Sequence, residues 1–178
     1  MLFRKILLCF LILIFSACDK KENTDLNNTN VNTEISKNDK FYLKLNNGDN
    51  FLINLDQNDL KLKDNKAVLF VFFTTWCEPC KAQIPIFNNL QEKYKDKLEI
   101  IGVLLEDKTK EEIDYFIEKN KIKYNISSGE NNYLLAKKLG SIDAIPIMFL
   151  YKNNGKFVDE YLGIIPQEML EIEIQRAI

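Results

Sequence analysis

No histidine occurs among the 178 residues. That removes Ser-His-Asp and Cys-His catalytic arrangements and every zinc site that uses an imidazole. Cysteine is nearly as scarce, with Cys9, Cys18, Cys77 and Cys80 the full set, and Trp76 is the lone tryptophan. The most apolar run, "ILLCFLILIF" from Ile6 to Phe15, is ten residues long. A bilayer span needs about 20. The net charge of −2 gives no basic field, so nucleic acid is not an expected partner. No internal repeat is present.

What is present begins with a targeting signature. Arg4 and Lys5 precede the apolar run, and the small residues Ser16 and Ala17 follow it, directly before Cys18. This is the layout of a signal peptide, 1–17. "FSAC" resembles a bacterial lipobox, with Phe15 where leucine is commonest. The resemblance implies cleavage before Cys18 and lipidation of its thiol, enough acyl chain for stable anchoring. The alternative is an ordinary secretory cleavage near Ala17, with Cys18 there by coincidence. Either route delivers the chain to an exported, oxidising compartment where disulfides persist. With Arg4 and Lys5 gone, 22 basic residues face 26 acidic ones.

Residues 18–40 after the cleavage point are rich in Asn, Lys, Asp and Thr, with almost no large apolar groups. Such a segment cannot bury enough surface to offset its ordering entropy and reads as a flexible tether. The 22 residues 19–40 would span roughly 25 Å root-mean-square. One domain is expected over 41–178. "FYLKL" and "FLINL" flank the turn "NNGDN" and read as an N-terminal β-hairpin. "AVLFVFF" (67–73) is a strand buried on both faces, followed by a helix from about Glu78 to Lys95 and a second buried strand, "LEIIGVLL". That order implies a parallel pair joined by a right-handed crossover. "KTKEEIDYFIEKNK" reads as an amphipathic helix, "IKYNI" as a strand, and "NNYLLAKKLG" as a helix ended by Gly140. "IMFLY" and "KFVDEYLG" form a hairpin about "KNNG", with a two-residue turn at Asn154 and Gly155. A last helix follows, with Pro166 in its first turn.

The chemistry concentrates in "FFTTWCEPCKAQIP". Cys77 and Cys80 stand where a buried strand gives way to a helix. A thiol at a helix N-terminus sees the positive end of the dipole and free backbone N–H groups, and both favour thiolate. The three-residue spacing places both sulfurs on one face of the first turn. A structural zinc site needs four ligands, and no other cysteine or histidine remains in 41–178. A purely structural disulfide would enclose only two residues and constrain the unfolded chain little. Dithiol–disulfide exchange suits the pattern best, with Cys77 as nucleophile and Cys80 resolving the mixed disulfide. The redox-active Cys77–Cys80 pair then serves without any separate cofactor or metal.

At these residues the chain resembles the thioredoxin superfamily, in its TlpA/ResA-like branch of exported thiol–disulfide oxidoreductases. "FFTTWCEPC", the continuation "CKAQIP", "AIPIMFLY" and "NNGKFVDEYLG" carry the resemblance, which covers roughly 41–178. It implies an α/β thioredoxin-like fold: a central mixed β-sheet flanked by helices, an N-terminal β-hairpin and a central α/β insertion. It also implies a cis bond at Ile145–Pro146 beside the dithiol, and a site surface shaped by Trp76, Glu78, Pro79, Ile145 and Pro146. Sixty-six positions separate Cys80 from Pro146, more than in minimal thioredoxins, and the insertion near 109–126 is not the all-helical one of DsbA. Thr74 lies three residues before Cys77, but the upstream proline of peroxiredoxins is missing.

Two departures stand out. The buried aspartate of thioredoxins falls on Val71, and the ResA-like carboxylate falls on Gln83. Gln83 can hydrogen-bond but cannot accept a proton. Glu78 is the nearest carboxylate in sequence, either a substitute for the missing acceptor or simply solvated. The resemblance implies a membrane-anchored enzyme facing the periplasm or extracytoplasmic space, reducing disulfides of exported proteins such as apocytochrome c. Its electrons would come from a membrane thiol donor of the DsbD/CcdA kind. The alternatives are a general extracytoplasmic reductase or isomerase, and a thioredoxin-fold binding lipoprotein with a vestigial dithiol.

Overall fold

In the computed structural model, residues 40–178 are described. The expected signal peptide, the lipidation site Cys18 and all of the tether before Lys40 lie outside the described residues. The elements run β1 (Lys40–Leu45), β2 (Asn50–Asp56), β3 (Asp59–Leu60), β4 (Ala67–Phe73), α1 (Glu78–Lys93), β5 (Leu98–Leu104) and α2 (Lys110–Asn120). They continue with β6 (Asn125–Ser128), α3 (Glu130–Lys138), β7 (Ile147–Tyr151), β8 (Phe157–Leu162) and α4 (Gln167–Ala177). The eight strands form one sheet, ordered β3-β2-β1-β6-β5-β4-β7-β8. β4, β5 and β6 are parallel, while β1 and β7 run antiparallel to their neighbours. This is the mixed sheet, N-terminal hairpin and inserted α/β segment expected from the sequence.

β4 explains its own composition. All seven residues are buried because strands flank both its edges and apolar layers cover both its faces. Leu69, Val71 and Phe73 point into a layer shared with Ile84, Phe87 and Leu90 of α1 and with Leu170 and Ile174 of α4. Val68, Phe70 and Phe72 point the other way, toward Leu43, Ile53 and Leu135. Burying one such side chain contributes about 1.5–3 kcal/mol, so β4 anchors the two apolar layers between which it lies. α1 is also tied to α4 through Glu171, which pairs with Lys93 and accepts a bond from Tyr94 Oη at 2.8 Å.

The insertion α2–β6 is not an appendage. β6 pairs with β5 on one side and with β1 on the other, so it joins the N-terminal hairpin to the central sheet. α2 begins with a capping box, Thr109 with Glu112, and its buried Ile113 and Phe116 face the core. The Phe116 ring stacks on Phe73 at 5.8 Å.

Several local expectations needed correcting. The sixth strand is Asn125–Ser128, shifted along from "IKYNI". The backbone of 122–123 is satisfied elsewhere: Ile122 N–H donates to Ile117 O, and Lys123 N–H donates to Asn88 Oδ1. The β7–β8 turn has three loop residues, Asn153 to Gly155, closed by Lys152 N–H to Lys156 O at 2.8 Å, and is not a two-residue turn at Asn154–Gly155. Gly155 takes φ +82°, and its carbonyl accepts from Leu60 N–H at 2.7 Å. This is how the unforeseen strand β3 reaches the hairpin. Pro166 is the N-cap of α4, one position earlier than expected. α1 ends at Lys93, with Tyr94 as its cap.

Candidate active site

The site grows from the way β4 ends. Pairing with β5 continues one step past the strand, as Leu105 N–H donates to Phe73 O at 3.0 Å. The next residue of that segment, Glu106, turns its carboxylate to accept from Thr75 N–H. The Thr74–Trp76 loop is therefore gripped from the β5 side, and Thr74 O accepts from Cys77 N–H at 3.3 Å.

Cys77 is the N-cap of α1, with extended backbone, and its Sγ accepts from Cys80 N–H at 3.2 Å. A sulfur here occupies the place of a capping oxygen and sees the positive end of the helix. Pro79 falls in the first turn, where a missing N–H costs nothing. Cys77 and Cys80 are joined as a disulfide, with Cα atoms 5.2 Å apart, and each residue is 4% exposed. The pair is thus in its oxidised state. Among the described residues, no group of three or more His, Cys, Asp or Glu gathers to hold a metal.

The surrounding residues sort clearly. The Ile145–Pro146 bond is cis, and Pro146 O accepts from Gly163 N–H at 2.8 Å, which draws the end of β8 against it. Ile147 pairs with Phe72, so Pro146 lies beside the loop that carries Cys77, on the β7 side. Trp76 is 67% exposed and belongs to the surface, not the core. Leu162, which pairs with Ile147, and Ile164 are also exposed apolar residues on the β7 side. Glu78 is solvated: its carboxylate pairs with Lys81 Nζ at 2.6 Å and the side chain is 82% exposed.

Gln83, one turn beyond Cys80, is fully buried. Its Nε2 donates to Ile165 O at 2.7 Å, and its Oε1 accepts from Ile165 N–H at 3.3 Å. The amide thus spends both ends on one backbone unit, in the loop that also holds Pro146 through Gly163. A carboxylate could accept there but not donate. Val71 sits in the apolar layer with no polar function. Two further features carry no motif and escape sequence reading: the Glu106 contact, and Thr74 Oγ1, which is buried without a partner. Burial also pushes the Tyr161 phenol, on β8, up to about 12, with help from Glu173 and Asp159.

Two cavities matter for orientation. The larger, about 450 Å³, opens at the opposite pole of the sheet among Phe51, Lys66, Val68 and Glu99, far from the dithiol. The smaller, about 280 Å³, lies beside the dithiol between α1 and α2.

The chain has relatives among known proteins. A model of the thioredoxin-like family matches residues 65–157. The thiol–disulfide oxidoreductase ResA of Bacillus cereus is 30% identical over 130 residues, covering 71% of this chain and 74% of that protein. ResA of Oceanobacillus iheyensis is 32% identical over 120 residues, covering 66% of this chain and 61% of the relative. Among solved structures, StoA from Bacillus subtilis superposes with a TM-score of 0.61 at 23% identity, over 76% of this chain and 96% of that one. A thiol:disulfide interchange protein from Chlorobium tepidum gives 0.63 at 19%, over 78% and 92%. At these identities the structural likeness speaks for the fold alone.

Proposed function

Because the chain belongs to the thioredoxin-like family, among the ResA-like thiol–disulfide oxidoreductases, we propose that Cys77 and Cys80 are its catalytic pair and that it reduces disulfides of exported proteins. The observation that carries this reading is the placement of Cys77 as the N-cap of α1, with Cys80 N–H directed at its sulfur. The same N–H and dipole that hold this sulfur would stabilise it as a thiolate once reduced.

The exchange balances as follows. The Cys77 thiolate attacks one sulfur of the client disulfide, forming the Cys77–client bond and releasing the client's other sulfur as thiolate. Cys80, deprotonated, then attacks Cys77 Sγ, breaking that bond and releasing the second client thiolate. Two electrons pass from the enzyme dithiol to the client, and the two enzyme thiol protons end on the client thiols. The enzyme is left as the Cys77–Cys80 disulfide. A dithiol donor must then reduce it, and a membrane thiol donor of the DsbD/CcdA kind meets that need. Trp76, Glu78, Pro79, Ile145 and Pro146 shape the docking surface, with extended client backbone lying along Ile145.

The leader and Cys18 support lipid anchoring on the extracytoplasmic side of a bacterial membrane, the tether giving the domain reach. Apocytochrome c is the proposed client among exported proteins. General reduction or isomerisation would use the same chemistry on other clients. A binding lipoprotein with a vestigial dithiol is disfavoured by the N-cap placement of Cys77 and the cis-proline Pro146 on the β7 side of its loop. The decisive experiment expresses Cys80→Ser in cells and isolates mixed disulfides through Cys77. Trapped apocytochrome supports the reading, other exported clients favour general reduction, and an empty trap refutes catalysis by this pair.

A further inference from the structure

The two flanks of the dithiol differ in chemistry. On the β7 side, toward Pro146, the exposed large apolar side chains are Trp76, Leu162 and Ile164, with Asp143 the exposed carboxylate nearest in sequence to Pro146. On the β5 side the active-site loop opens into the 280 Å³ groove, whose lining includes Thr75, Lys81, Lys108, Lys119, Glu112 and Tyr115. Three ammonium groups face one carboxylate there. Lys108 is paired with Glu112 at 3.1 Å, and Lys81 is paired outward with Glu78 at 2.6 Å. Lys119 lies over the exposed Tyr115 ring at 5.7 Å. The stems of Lys81 and Lys108 are partly buried, at 28% and 30% exposure, which holds their charged ends near the groove.

Resting on the redox reading above, we infer that this groove selects clients carrying acidic residues on the side of the attacked cysteine that leads away from Pro146. The placement follows from the sheet. β4 lies between β5 and β7, so Pro146 and the groove sit on opposite sides of the loop bearing Cys77. A client crossing Cys77 with one flank against Pro146 must lay its other flank toward Lys108 and Lys119. Carboxylates there gain the attraction of the lysines, whereas ammonium groups meet like charge. The flank near Pro146 meets the apolar Trp76, Leu162 and Ile164 and no lysine, so it offers carboxylates no comparable attraction. The groove is built largely from α2, so the insertion supplies the selectivity.

The test uses pre-reduced full-length protein and four symmetric disulfide-linked peptide dimers, in which every attack falls on the same cysteine. Each carries Glu-Glu or Lys-Lys, placed either before or after that cysteine. The expected result is that the Glu-Glu dimer is reduced about three- to tenfold faster than the Lys-Lys dimer in one placement, with a ratio near one in the other. The preference shrinks at high ionic strength. Lys108→Glu combined with Lys119→Glu inverts it, while Lys137→Glu, on α3, leaves the ratio as it is. A ratio near one in both placements, or a preference that survives the double charge reversal, overturns the inference while leaving the redox reading intact. Failure to reduce any of the four dimers overturns the redox reading and this inference with it.

Discussion

Gln83→Glu is the sharpest probe of how this site is built. The change adds back the carboxyl of the ResA-like pattern, but into a position where the native amide donates at 2.7 Å and accepts at 3.3 Å, both with Ile165. A protonated carboxyl can reproduce both bonds, its O–H donating to Ile165 O and its carbonyl accepting from Ile165 N–H. An ionised one loses the donor, leaves Ile165 O unpartnered and sets charge in a fully buried position. That loss amounts to about 1–3 kcal/mol, and more for the charge itself. The neutral form is therefore favoured in the fold, and the introduced group's pKa lies above its unfolded value near 4.3. The folded protein then holds more protons than the unfolded chain, and stability falls as pH rises from about 4.3 through the folded pKa. Urea unfolding of the oxidised proteins at pH 4.5 and 7.5 reads this directly. The variant should lie within about 1 kcal/mol of the parent at the lower pH and about 2 kcal/mol or more below it at the higher. A penalty independent of pH, or a variant that gains on the parent as pH rises, refutes the role assigned to Gln83.

Other outcomes follow from single contacts. Glu106→Ala should release Thr75 N–H and slow exchange of the dithiol with a small disulfide about tenfold, while Glu106→Gln, which keeps an acceptor, recovers most of the rate. Equal rates in the two variants would remove Glu106 from the positioning of the loop. Gly155→Ala would set a Cβ 1.7 Å from Leu60 O at φ +82°. It should cost more than about 2 kcal/mol in thermal or urea unfolding and abolish hydrogen-exchange protection at Leu60. Tyr161→Phe removes a buried hydroxyl that has no partner, so stability should hold within about 0.5 kcal/mol or rise. A loss above about 1 kcal/mol in urea unfolding would show that the hydroxyl is bonded.

What the sequence could convey depended on whether one segment's own residues settled the matter. β4 was legible to the residue because seven apolar side chains, β-branched and aromatic among them, suit a short strand covered on both faces. The Cys77 N-cap was legible because the helix start, the loop and the pair are contiguous. The chain could not show that β6 starts at Asn125, since Asn88, on another element, satisfies the amide of Lys123. Nor could it place Glu106 against Thr75, which lies 31 positions away with no motif linking the two. Glu78, nearest Cys80 in sequence, points outward to Lys81 because its helical position, not its proximity, sets its direction. The β3–Gly155 contact was hidden for the same reason: its partner is a carbonyl, which sequence does not distinguish.

The pairing of β1 with β6 also gives the molecule a polarity. β6 is parallel to β4, and Lys44 pairs with Ser128 at the end of the sheet where β4 delivers Cys77. β1 runs away from that end, so Lys40 lies at the dithiol pole, extending about 13 Å beyond the last paired residue. Ile178 is at the far pole, where Ala177 O accepts from Asn153 N–H in the β7–β8 turn. A fusion or surface attached at Ile178 therefore leaves the catalytic face pointing outward. Lys40 and Ile178 thus mark opposite poles of the sheet, and immobilisation at Ile178 presents the dithiol to the solution.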